Sequence, residues 1–541
     1  MSFLESFLSE SHRALLIKVG AAAEDLGVPA YVVGGFVRDA ILGRPTTDVD
    51  FVTIGPGSGI RLAGKVAARL GGAPVHVYKQ FGTAAIRLPG HTDDGSGMVL
   101  EFVAARKESY ARNSRKPRVE DGTLEDDLRR RDFTINAFAV PLGREGLGDL
   151  VDLFGGMMDL DKGILTTPVD PFQTFSDDPL RMVRAARFAA QLNFDLDNPT
   201  WAAMRAEAER IKIVSMERIA DELQKMVVGA NPSLGFRILE ETGLLCHFLP
   251  ELSELRGVEQ VQGHKHKDNF YHTLQVLENL LDLTGHRSAE ETRWLRWTAL
   301  LHDVGKPSTK RFRQGTGWTF HGHEDRGSRM IAPLFRRLKF PLDERAAYVE
   351  KLVRLHHRPV ALVDDEVTDS AVRRLLFDAG DDVDDLMTFV RADITSRNQA
   401  RVRRYLRAFD RVDEKLIDVE EKDHLRNFRA PVDGLEIMGA LGISEGLAVG
   451  ILKDLITEAI LDGTIPNEHD AAYALMLAAK ADAVRRGDLF MQFVRSLSGP
   501  EKRAVSAVKE AVLSPDLPDS EEEALAFLEA SKTQALAPEP A

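Results

Sequence analysis

Residues 31–54 have the sequence YVVGGFVRDAILGRPTTDVDFVTI and decide the fold of the first part of the chain. A short β-branched run ends at Gly34 and Gly35, and a segment with helical periodicity follows. After a polar stretch, Asp48 and Asp50 open a second apolar run. The pattern therefore predicts a strand, a helix and a second strand that begins with two acidic residues.

The two aspartates are predicted to face one site. Side chains two positions apart on a strand point to the same side of the sheet, so Asp48 and Asp50 lie together. Carboxylate oxygens are ligands that Mg²⁺ prefers, and two such ions about 3.5 to 4 Å apart can activate a hydroxyl and stabilise a leaving pyrophosphate. The pair is the minimum ligand set for that chemistry.

The glycine pair is predicted to hold phosphate. Gly34 and Gly35 leave backbone N–H groups open at the start of a helix, and Arg38 can pair with a triphosphate. Taken alone, each half is better explained by a plain Gly-Gly turn or by a solvated acidic strand end. Joined by the twelve residues between Gly35 and Asp48, they predict nucleotidyl transfer.

The composition is that of a multidomain protein without a membrane segment. A chain of 541 residues exceeds one hydrophobic core and predicts three or four domains. No apolar run approaches the ~20 residues that a bilayer helix needs, and the first residues carry acids, so we expect a cytoplasmic protein with no membrane partner. The single cysteine, Cys246, excludes intramolecular disulfides, and its apolar surroundings predict a buried thiol.

The net charge of −14 at first argues against a nucleic-acid partner, because RNA binding depends on Lys and Arg that neutralise phosphates. The charge is unevenly distributed, however. Basic residues are concentrated in 106–118 and again in 181–218, whereas acidic residues are concentrated in 364–385 and in the tail. A local basic groove is therefore compatible with the acidic total.

Periodicity predicts a small α/β head followed by a helical body. Within the head it predicts strands at 31–34, 49–54, 75–78, 83–88 and 98–104 and helices near 36–42 and 58–70. From about residue 174 the pattern is helical, with domain joints near Gly263 and at Arg429–Pro431. Residues 514–541, which contain a Glu run and end in APEPA, are expected to be mobile.

Further motifs follow the first in a fixed order, and they are LEFVAARKESYARNSRKPRVEDGTLEDDLRRRDFTINA (100–137), LVDLFGGMMDLDKGIL (150–165), DDPLRMVRAARFAAQL (177–192) and VSMERIADEL (214–223). With these motifs the chain resembles the class II tRNA nucleotidyltransferases, that is, the CCA-adding enzymes and bacterial poly(A) polymerases of the polymerase β superfamily. The resemblance covers about 230 residues nearly continuously. It implies an α+β fold, with a polymerase-β-type head and an all-α body.

The resemblance gives the head residues their roles. Asp48 and Asp50 are essential metal ligands, and Glu101 on a neighbouring strand is a third acidic ligand, the alternative being an edge glutamate that faces water. The basic loop that contains Arg112, Arg115 and Lys116 resembles the flexible, RNA-proximal loop that helps the site change from CTP to ATP. Its presence favours complete CCA addition.

The motif RRDFTINA is implied to form the nucleotide pocket. Arg131 and Asp132 are placed at the incoming nucleotide and Asn136 at its ribose, because an amide can both donate to and accept from a hydroxyl. Three consecutive arginines cannot all be buried, which favours a phosphate-facing role for some of them. A capped helix start is the alternative, and both can hold at once.

The motif at 177–192 is implied to supply the template that selects C and A. Asp178 and Arg181 lie three residues apart and can present an acceptor and donors to a base edge, with Arg184 and Arg187 as further nucleotide-binding candidates. The family motif begins with Glu where this chain has Asp177, which puts one supporting contact in doubt. A surface ion pair is the alternative.

A second set of residues resembles the HD superfamily of metal-dependent phosphohydrolases, and its members are His272, His302, Asp303, His323, His356, His357 and Asp393. Imidazole and carboxylate ligands together suit Mn²⁺, Fe²⁺, Co²⁺ or Ni²⁺, and six of them suffice for two ions. The implied substrates are phosphomonoesters, 2′,3′-cyclic phosphates and 2′-nucleotides at RNA ends. The alternative is an HD fold that has lost its activity.

These patterns predict a Mg²⁺-dependent enzyme that adds C, C and A to the 3′ end of tRNA from CTP and ATP, without DNA as a partner. The expected domains are a head (1–168), a helical neck (169–255), an HD domain (256–425) and a tRNA-contacting tail (426–541) in which 431–467 resembles the family's tail helices. The alternatives are a poly(A) polymerase of the same family and an HD phosphohydrolase whose inactive head only binds RNA.

Overall fold

The computed structural model of the chain describes residues 3–78, 82–89, 97–109, 118–257, 260–261, 264–265, 268–363, 368–396, 398–423, 425–426 and 428–536. It divides into two compact units, residues 1–354 and 355–541, which are described separately. None of the helices in the described part of the chain is long and apolar enough to cross a membrane.

The described strands all lie in the first unit, and they are β1 (Ala30–Val33), β2 (Asp48–Thr53), β3 (Val75–Tyr78), β4 (Thr83–Leu88), β5 (Met98–Ala104), β6 (Arg106–Ser109), β7 (Arg118–Asp121), β8 (Phe138–Pro141), β9 (Val151–Asp152), β10 (Ile164–Leu165), β11 (Asp195–Leu196), β12 (Gln260–Val261), β13 (His264–Lys265), β14 (Arg311–Arg313) and β15 (Gly317–Thr319). The helices of this unit are α1 (Glu10–Asp25), α2 (Gly35–Ile41), α3 (Ser58–Arg69), α4 (Leu124–Arg129), α5 (Gly156–Lys162), α6 (Pro171–Asp177), α7 (Leu180–Leu192), α8 (Asn198–Glu207), α9 (Met216–Val227), α10 (Pro232–Glu241), α11 (Pro250–Ser253), α12 (Asn269–Leu283), α13 (Arg293–Leu301), α14 (Lys306–Thr309), α15 (His323–Leu338) and α16 (Glu344–Leu355).

One mixed sheet positions the head site. Its strand order is β3-β4-β5-β2-β1-β8-β9, in which β2 pairs parallel with β5 and antiparallel with β1. The buried rings of Phe51 and Phe102 stack across β2 and β5 with their centroids 4.8 Å apart. The parallel register is therefore fixed by packing on the buried side of the two strands. On β2, Val49 and Phe51 are buried while Asp48 and Asp50 alternate with them.

The α+β fold and the elements predicted in the head are confirmed, and the observed ends of those elements differ from the predicted ends by at most one residue. Strand β8 was not predicted, although it pairs with β1 inside the sheet. Its first three residues are all buried, so it lacks the alternation of polar and apolar residues that identifies a half-buried strand. Thr134–Asn136 forms a 3₁₀ turn in place of the helix start that was the alternative interpretation.

The second unit is helical where it is described, with α17 (Arg358–Ala361), α18 (Asp369–Ala379), α19 (Val383–Asp393), α20 (Gln399–Asp423), α21 (Gly434–Leu441), α22 (Leu447–Leu461), α23 (His469–Ser496), α24 (Val505–Leu513) and α25 (Glu521–Leu536). The last three helices share a core that includes Phe493, Val512 and Leu528. The prediction of a mobile segment from residue 514 is wrong for 521–536, because apolar residues between the acids of α25 bury one face of that helix.

Cys246 also differs from its prediction. It lies in the 3₁₀ turn Leu245–His247 and is exposed, with its thiol donating to the carbonyl of Gly243 at 3.3 Å. Its apolar neighbours Leu245 and Phe248 are buried instead. A short turn sends adjacent side chains in different directions, so the composition of the segment did not determine which of them would be buried.

Candidate functional site

Three carboxylates meet at one place on the sheet. Asp48 and Asp50 lie on the same side of β2, and Asp50 is the direct register partner of Glu101 on β5. Strand β5 lies between β4 and β2. Glu101 is therefore not on an edge strand, whereas the alternative interpretation required an edge position. It is nevertheless exposed at the surface of the sheet, on the side where the aspartates lie.

The electrostatics of Asp50 reflect this crowding. The pKa of its carboxyl is raised to about 6, because burial and the charges of Glu101 and Asp48 outweigh the opposing effect of the Arg131 guanidinium. A carboxylate that is disfavoured by desolvation and by like charges is stabilised by a nearby cation. The three acids therefore fit a divalent metal ion, for which hard oxygen ligands are preferred.

Gly34 contributes to the site by lacking a side chain. It has φ of 76°, a left-handed conformation, and a Cβ atom there would lie 2.6 Å from Nη1 of Arg131. Its amide donates to the carbonyl of Phe138 at 3.1 Å, so this N–H is part of the sheet. The prediction had this N–H open to bind a phosphate group. The other glycine of the pair, Gly35, begins α2 and lines the cleft above the aspartates.

A chain of hydrogen bonds crosses the floor of this cleft. Arg38 is buried, binds the adjacent Asp39 through two nitrogens and donates to Oδ1 of Asn136 at 2.5 Å. The amide of Asn136 donates in turn to Oδ1 of Asp132 at 2.9 Å. Each end of that amide has capacity for one further hydrogen bond, so these contacts are compatible with the predicted bond to a ribose hydroxyl.

Asp132 is held by a side chain of α7. Arg184 of α7 donates to its Oδ2 from Nε at 2.8 Å and from Nη2 at 2.5 Å. Burial opposes the charge on Asp132, but Arg184 and Asn136 outweigh burial and hold the pKa of this carboxyl well below its usual range. Asp132 is therefore an anion at neutral pH.

Glu222 of α9 holds two of the predicted nucleotide-binding arginines. Its carboxylate is almost fully buried and accepts from Nε of Arg187 at 2.5 Å and from Nη1 of Arg184 at 3.4 Å. Both guanidinium groups also lie over the ring of Phe188, at 5.2 Å for Arg184 and 4.0 Å for Arg187. The orientation of these arginines is thus set by α9 as well as by their own helix.

As predicted, at least one of the three consecutive arginines of RRRDFTINA is exposed. Arg129 is exposed, whereas Arg130 and Arg131 are partly buried and both donate to the buried carboxylate of Asp127, at 2.5 Å and 3.1 Å. Arg131 also donates to the backbone carbonyl of Asn136 at 3.2 Å. Asp127 therefore fixes the direction of Arg131, which lines the same cleft as Asp48 and Asp50.

The predicted template pair lies at a break between two helices. Asp178 follows α6 directly, and Arg181 is in the first turn of α7. Oδ2 of Asp178 accepts from Arg218 at 3.1 Å, and Arg181 donates to the carbonyl of Arg130 at 2.5 Å. Each side chain is thus held from outside its own helix, which is what a fixed recognition surface requires.

Two adjoining clefts bring most of these residues together. One, of about 600 Å³, is lined by residues that include Arg38, Asp48, Asp50 and Asn136. The other, of about 580 Å³, is lined by residues that include Asp178, Arg181 and Arg218. Arg131, Asp132 and Arg184 line both, so the two clefts are neighbours, and each has the size of a small-molecule site. The predicted loop residues Arg112, Arg115 and Lys116 lie outside the described residues.

A second cluster in the first unit is built around Asp303. The Nε2 atoms of three histidines lie near its carboxylate, at 3.7 Å for His272, 3.3 Å for His302 and 3.5 Å for His323. The Nδ1 atoms of His302 and His323 are held by the backbone carbonyls of Ala299 and Phe320 at 2.8 Å and 2.9 Å. Imidazoles that are fixed in this way through one nitrogen present the other to a metal ion.

The surroundings of Asp303 support the same interpretation. Burial opposes its charge, but His302 and Lys306 outweigh burial and hold its pKa well below the usual range. Lys306 donates to Oδ2 of Asp303 at 2.6 Å and supplies part of the positive charge around this carboxylate. A Cβ atom on Gly305 would lie 2.1 Å from the carbonyl oxygen of His323, so only glycine lets these two elements approach.

The remaining predicted HD residues belong to the second unit. His356 is buried and His357 is exposed, with their ring centroids 4.4 Å apart. Asp393 is the last residue of α19. Their roles as metal ligands stay predictions.

Three residues that orient the site, namely Asp39, Asp127 and Glu222, were not predicted from the sequence. Asp127 could have been found, because it lies three and four residues before Arg130 and Arg131, a spacing that pairs side chains on a helical turn. Glu222 could not, since its partners lie 35 and 38 residues earlier on another helix.

Three segments of the chain match models of known protein families. Residues 30–166 match the family model of the poly A polymerase head domain, residues 193–255 match that of the probable RNA and SrmB-binding site of polymerase A, and residues 269–384 match that of the HD domain. The A-adding tRNA nucleotidyltransferase of Deinococcus radiodurans is 32% identical over 458 residues, which are 82% of this chain and 94% of that protein. The chain belongs to the tRNA nucleotidyltransferase and poly(A) polymerase family.

Other members of the tRNA nucleotidyltransferase family are similar over a shorter part of the chain. The multifunctional CCA protein of Nitrosococcus oceani is 35% identical over 341 residues, which are 60% of this chain and 74% of that protein. A solved structure of a CCA-adding enzyme with ATP covers 88% of this chain and 97% of its own, with a TM-score of 0.58 and 20% identity. The Thermotoga maritima CCA-adding enzyme complexed with tRNA has a TM-score of 0.54 at 20% identity, with 88% of this chain and 97% of its own covered. At that identity these two structures establish a shared fold.

Loss of the charge on Glu222 should destabilise this tRNA nucleotidyltransferase family member. Glu222→Gln leaves Arg187 buried without its anionic partner, so we expect the free energy of unfolding to fall by about 3 kcal/mol in urea titrations. The neighbouring Asp221 pairs with Lys225 on the surface and serves as the matched control. Asp221→Asn should change stability by less than about 0.5 kcal/mol, and equal effects of the two substitutions would contradict the assignment.

Proposed function

We propose that this protein is a Mg²⁺-dependent nucleotidyltransferase that adds C, C and A to the 3′ end of tRNA, using CTP and ATP. The observation that carries the proposal is the meeting of Asp48, Asp50 and Glu101 beside a cleft with fixed arginines. The relatives named as multifunctional CCA proteins support the choice of substrate. Three acids fit the metal, and the arginines fit the phosphates and base of a nucleotide.

In this proposal the three carboxylates would hold Mg²⁺, which when bound supplies activation of the tRNA 3′ hydroxyl and charge stabilisation on the leaving pyrophosphate. Arg131 lies between Asp50 and Asp127 and places a cation beside the triphosphate. Asn136 orients the ribose from its position between Arg38 and Asp132. Asp178 and Arg181 present an acceptor and donors to the base edge, and Arg218 and the Arg130 carbonyl fix their positions.

The proposed domain organisation follows the same reasoning. The head (1–168) and neck (169–255) carry the nucleotide site, the segment 256–425 carries the HD residues, and 426–541 forms the tail. The compact units of the structure divide the chain elsewhere, between Arg354 and Leu355. A compact unit reflects packing, so a boundary between functional segments need not coincide with its edge.

A narrower specificity is the second candidate. The relative from Deinococcus radiodurans, which the chain matches over most of its length, is named as an A-adding enzyme. Asp177 also replaces the Glu of the family motif next to the template pair, and here it accepts from Gln173 at 2.6 Å. An A-adding enzyme would use ATP on tRNA that already ends in CC, and a poly(A) polymerase would continue to add A.

Incorporation of C separates these candidates. Purified protein is incubated with a tRNA transcript that lacks its terminal CCA, first with CTP alone, then with CTP and ATP, and the products are resolved to single nucleotides. We expect two C residues with CTP alone and CCA with both nucleotides. Failure to incorporate C, together with addition of a single A to tRNA ending in CC, would establish the A-adding reaction instead.

The same assay tests whether Asp48 and Asp50 are required for nucleotide incorporation. Asp48→Asn and Asp50→Asn should each lower incorporation at least about 100-fold, because a bound metal ion contributes several kcal/mol to the transition state. Asp159→Asn, which alters a side chain that accepts from Thr134 away from the cleft, is the control and should retain activity. Undiminished extension by the aspartate variants would show that the site is elsewhere.

The Mg²⁺ concentration that gives half-maximal incorporation should depend on pH. The carboxyl of Asp50 is protonated below its pKa of about 6, and Mg²⁺ binds the charged form, so proton and metal compete. The Mg²⁺ concentration for half-maximal incorporation should rise about tenfold per pH unit below pH 6 and level off above it. Glu101→Gln removes a charge that raises the pKa of Asp50. The pH below which the Mg²⁺ requirement begins to rise should therefore be lower in this variant. If the Mg²⁺ requirement begins to rise at the same pH in the wild type and in the variant, Asp50 and Glu101 are not close to each other.

We also propose that the HD cluster holds a transition metal such as Mn²⁺, Fe²⁺, Co²⁺ or Ni²⁺ and hydrolyses phosphate esters at RNA ends. His272, His302, Asp303 and His323 supply mixed nitrogen and oxygen donors, the set that these ions favour. When bound, such an ion activates water for attack on phosphorus.

Metal content tests this second site directly. Protein loaded with Mn²⁺ or Ni²⁺ and freed of excess metal should lose bound ion in His302→Ala and in Asp303→Ala, as measured by elemental analysis. His286→Ala, a histidine outside the cluster, is the control and should bind metal as the wild type does. Unchanged metal content in the two cluster variants would refute the site, whatever the phosphatase activity of the wild type.

A further inference from the structure

We propose that Phe188 positions arginines for the nucleotide, by holding the guanidinium groups of Arg38, Arg184 and Arg187 together at its ring. Phe188 and the three arginines all line the cleft that contains Asp48 and Asp50. Phe188 acts through the arginines, so it is a positioning residue and not a catalytic one. This inference rests on the proposed function for the nature of the ligand, which is a nucleoside triphosphate.

Three cations surround one aromatic ring. The Cζ atoms of Arg38, Arg184 and Arg187 lie 5.1, 5.2 and 4.0 Å from the ring centroid of Phe188. A cation within about 6 Å of a ring centroid is attracted by the negative potential of the ring face. Significant contacts of this kind occur roughly once per 70 to 80 residues, so three at one ring are an unusual concentration. A ring has two faces, and at least two of the guanidinium groups therefore share one of them.

The arginines reach this ring from two separate elements. Arg184 lies four residues before Phe188 on α7, a spacing that brings two side chains to the same face of a helix. Arg38 belongs to α2, so its contact with the ring is a tertiary one. Phe133 packs edge to face on Phe188, with the ring centroids 5.7 Å apart. Three segments of the chain thus meet at this ring.

The arginines repel one another at this distance. Arg38 and Arg187 are buried, as is the ring of Phe188. Burial holds the pKa of the Arg187 guanidinium below its ordinary value, and the charge of Arg184 acts in the same direction, although Glu222 opposes both. A cluster of cations that water does not screen needs other groups to stabilise it, and the face of an aromatic ring is such a group.

The ring and the carboxylates stabilise the cations in different ways. A carboxylate holds a guanidinium by accepting from its N–H groups, which are then not available to a ligand. The face of a ring attracts the charge as a whole and needs no individual N–H group. Each arginine also has a carboxylate partner, and the pairs are Arg38 with Asp39, Arg184 with Asp132 and Arg187 with Glu222. The added attraction of Phe188 keeps the arginines together while some of their N–H groups stay available to phosphate oxygens.

A plain packing role for Phe188 is the alternative, because its side chain is only 5% exposed. Packing depends on the volume and shape of the ring, whereas the attraction of a cation depends on the electron density at the ring face. Fluorine in place of ring hydrogens separates these two properties. Each fluorine withdraws electron density from the face and changes the shape of the ring very little.

The test introduces phenylalanine with one, two or three ring fluorines at position 188 of the full-length protein by nonsense suppression. Phe236 is the matched control, because it is also buried and packs edge to face on Trp297. It is not among the described residues that line the two clefts. The Kd for ATP, the nucleotide that all the candidate reactions of the head use, is measured by calorimetry with Mg²⁺ and without tRNA. Phe188→Leu and Phe236→Leu complete the set.

We expect the Kd for ATP to rise with each fluorine at position 188, reaching at least about fivefold with three of them. The same series at position 236 should leave the Kd within about twofold of the wild type. Phe188→Leu should raise the Kd at least about tenfold, and Phe236→Leu should not. A Kd that does not change along the series at position 188 would overturn the inference. Equal changes at the two positions would overturn it as well.

This outcome is separate from that of the proposed function, because ATP binding is measured without tRNA. A protein whose ATP affinity follows the fluorine series at position 188, but whose wild type extends no tRNA, would refute the proposed reaction alone. A wild type that completes CCA addition, together with an ATP affinity that is independent of fluorine at position 188, would refute the role of Phe188 alone.

Discussion

Repulsion among three carboxylates at the centre of the head sheet is the constraint around which the site is organised. The parallel pairing of β2 with β5 places Asp50 beside Glu101, while the period of the strand places Asp48 on the same side. Burial and these two charges raise the pKa of Asp50 to about 6, so the acids are electrostatically disfavoured without a cation. Packing of Phe51 on Phe102 behind them keeps the strands in this register. The apolar side of the sheet thus supports an arrangement that its polar side alone would not favour.

The cations around the acids are held by anions that belong to other elements. Asp127 aims Arg131, Asp132 holds Arg184, and Glu222 holds Arg187 and contacts Arg184. Because each arginine has a carboxylate partner, its burial is compensated and its direction is fixed before a nucleotide arrives. The network also connects three segments that are distant in sequence, namely the end of α4, α7 and α9. The geometry of the cleft therefore depends on how α7 and α9 pack against the segment that contains α4 and Asp132.

Local patterns were sufficient for the elements that carry the acids. The run before Gly34, the spacing of Asp48 and Asp50 and the helical periodicities of α2 and α3 all depend on neighbours in sequence, and these predictions agree with the structure to within one residue. Contacts between distant segments could not be predicted in this way. Strand β8 is buried on both sides and shows no alternation, and the amide of Gly34 proved to be part of the sheet because β8 lies next to it.

The same distinction applies to charge. Counting residues gives a net charge of −14, which would exclude RNA if charge acted only as a sum. Salt screening limits the reach of an exposed charge to about 10 Å, so a polyanion responds to the surface that it touches and not to the whole protein. What matters is which cations are already paired, and pairing is a property of the folded chain. In α20 the sequence alone shows basic residues in both halves, whereas the structure shows that Lys415 and Lys422 are neutralised by Asp369 and Asp418. A net negative charge therefore does not exclude an RNA partner.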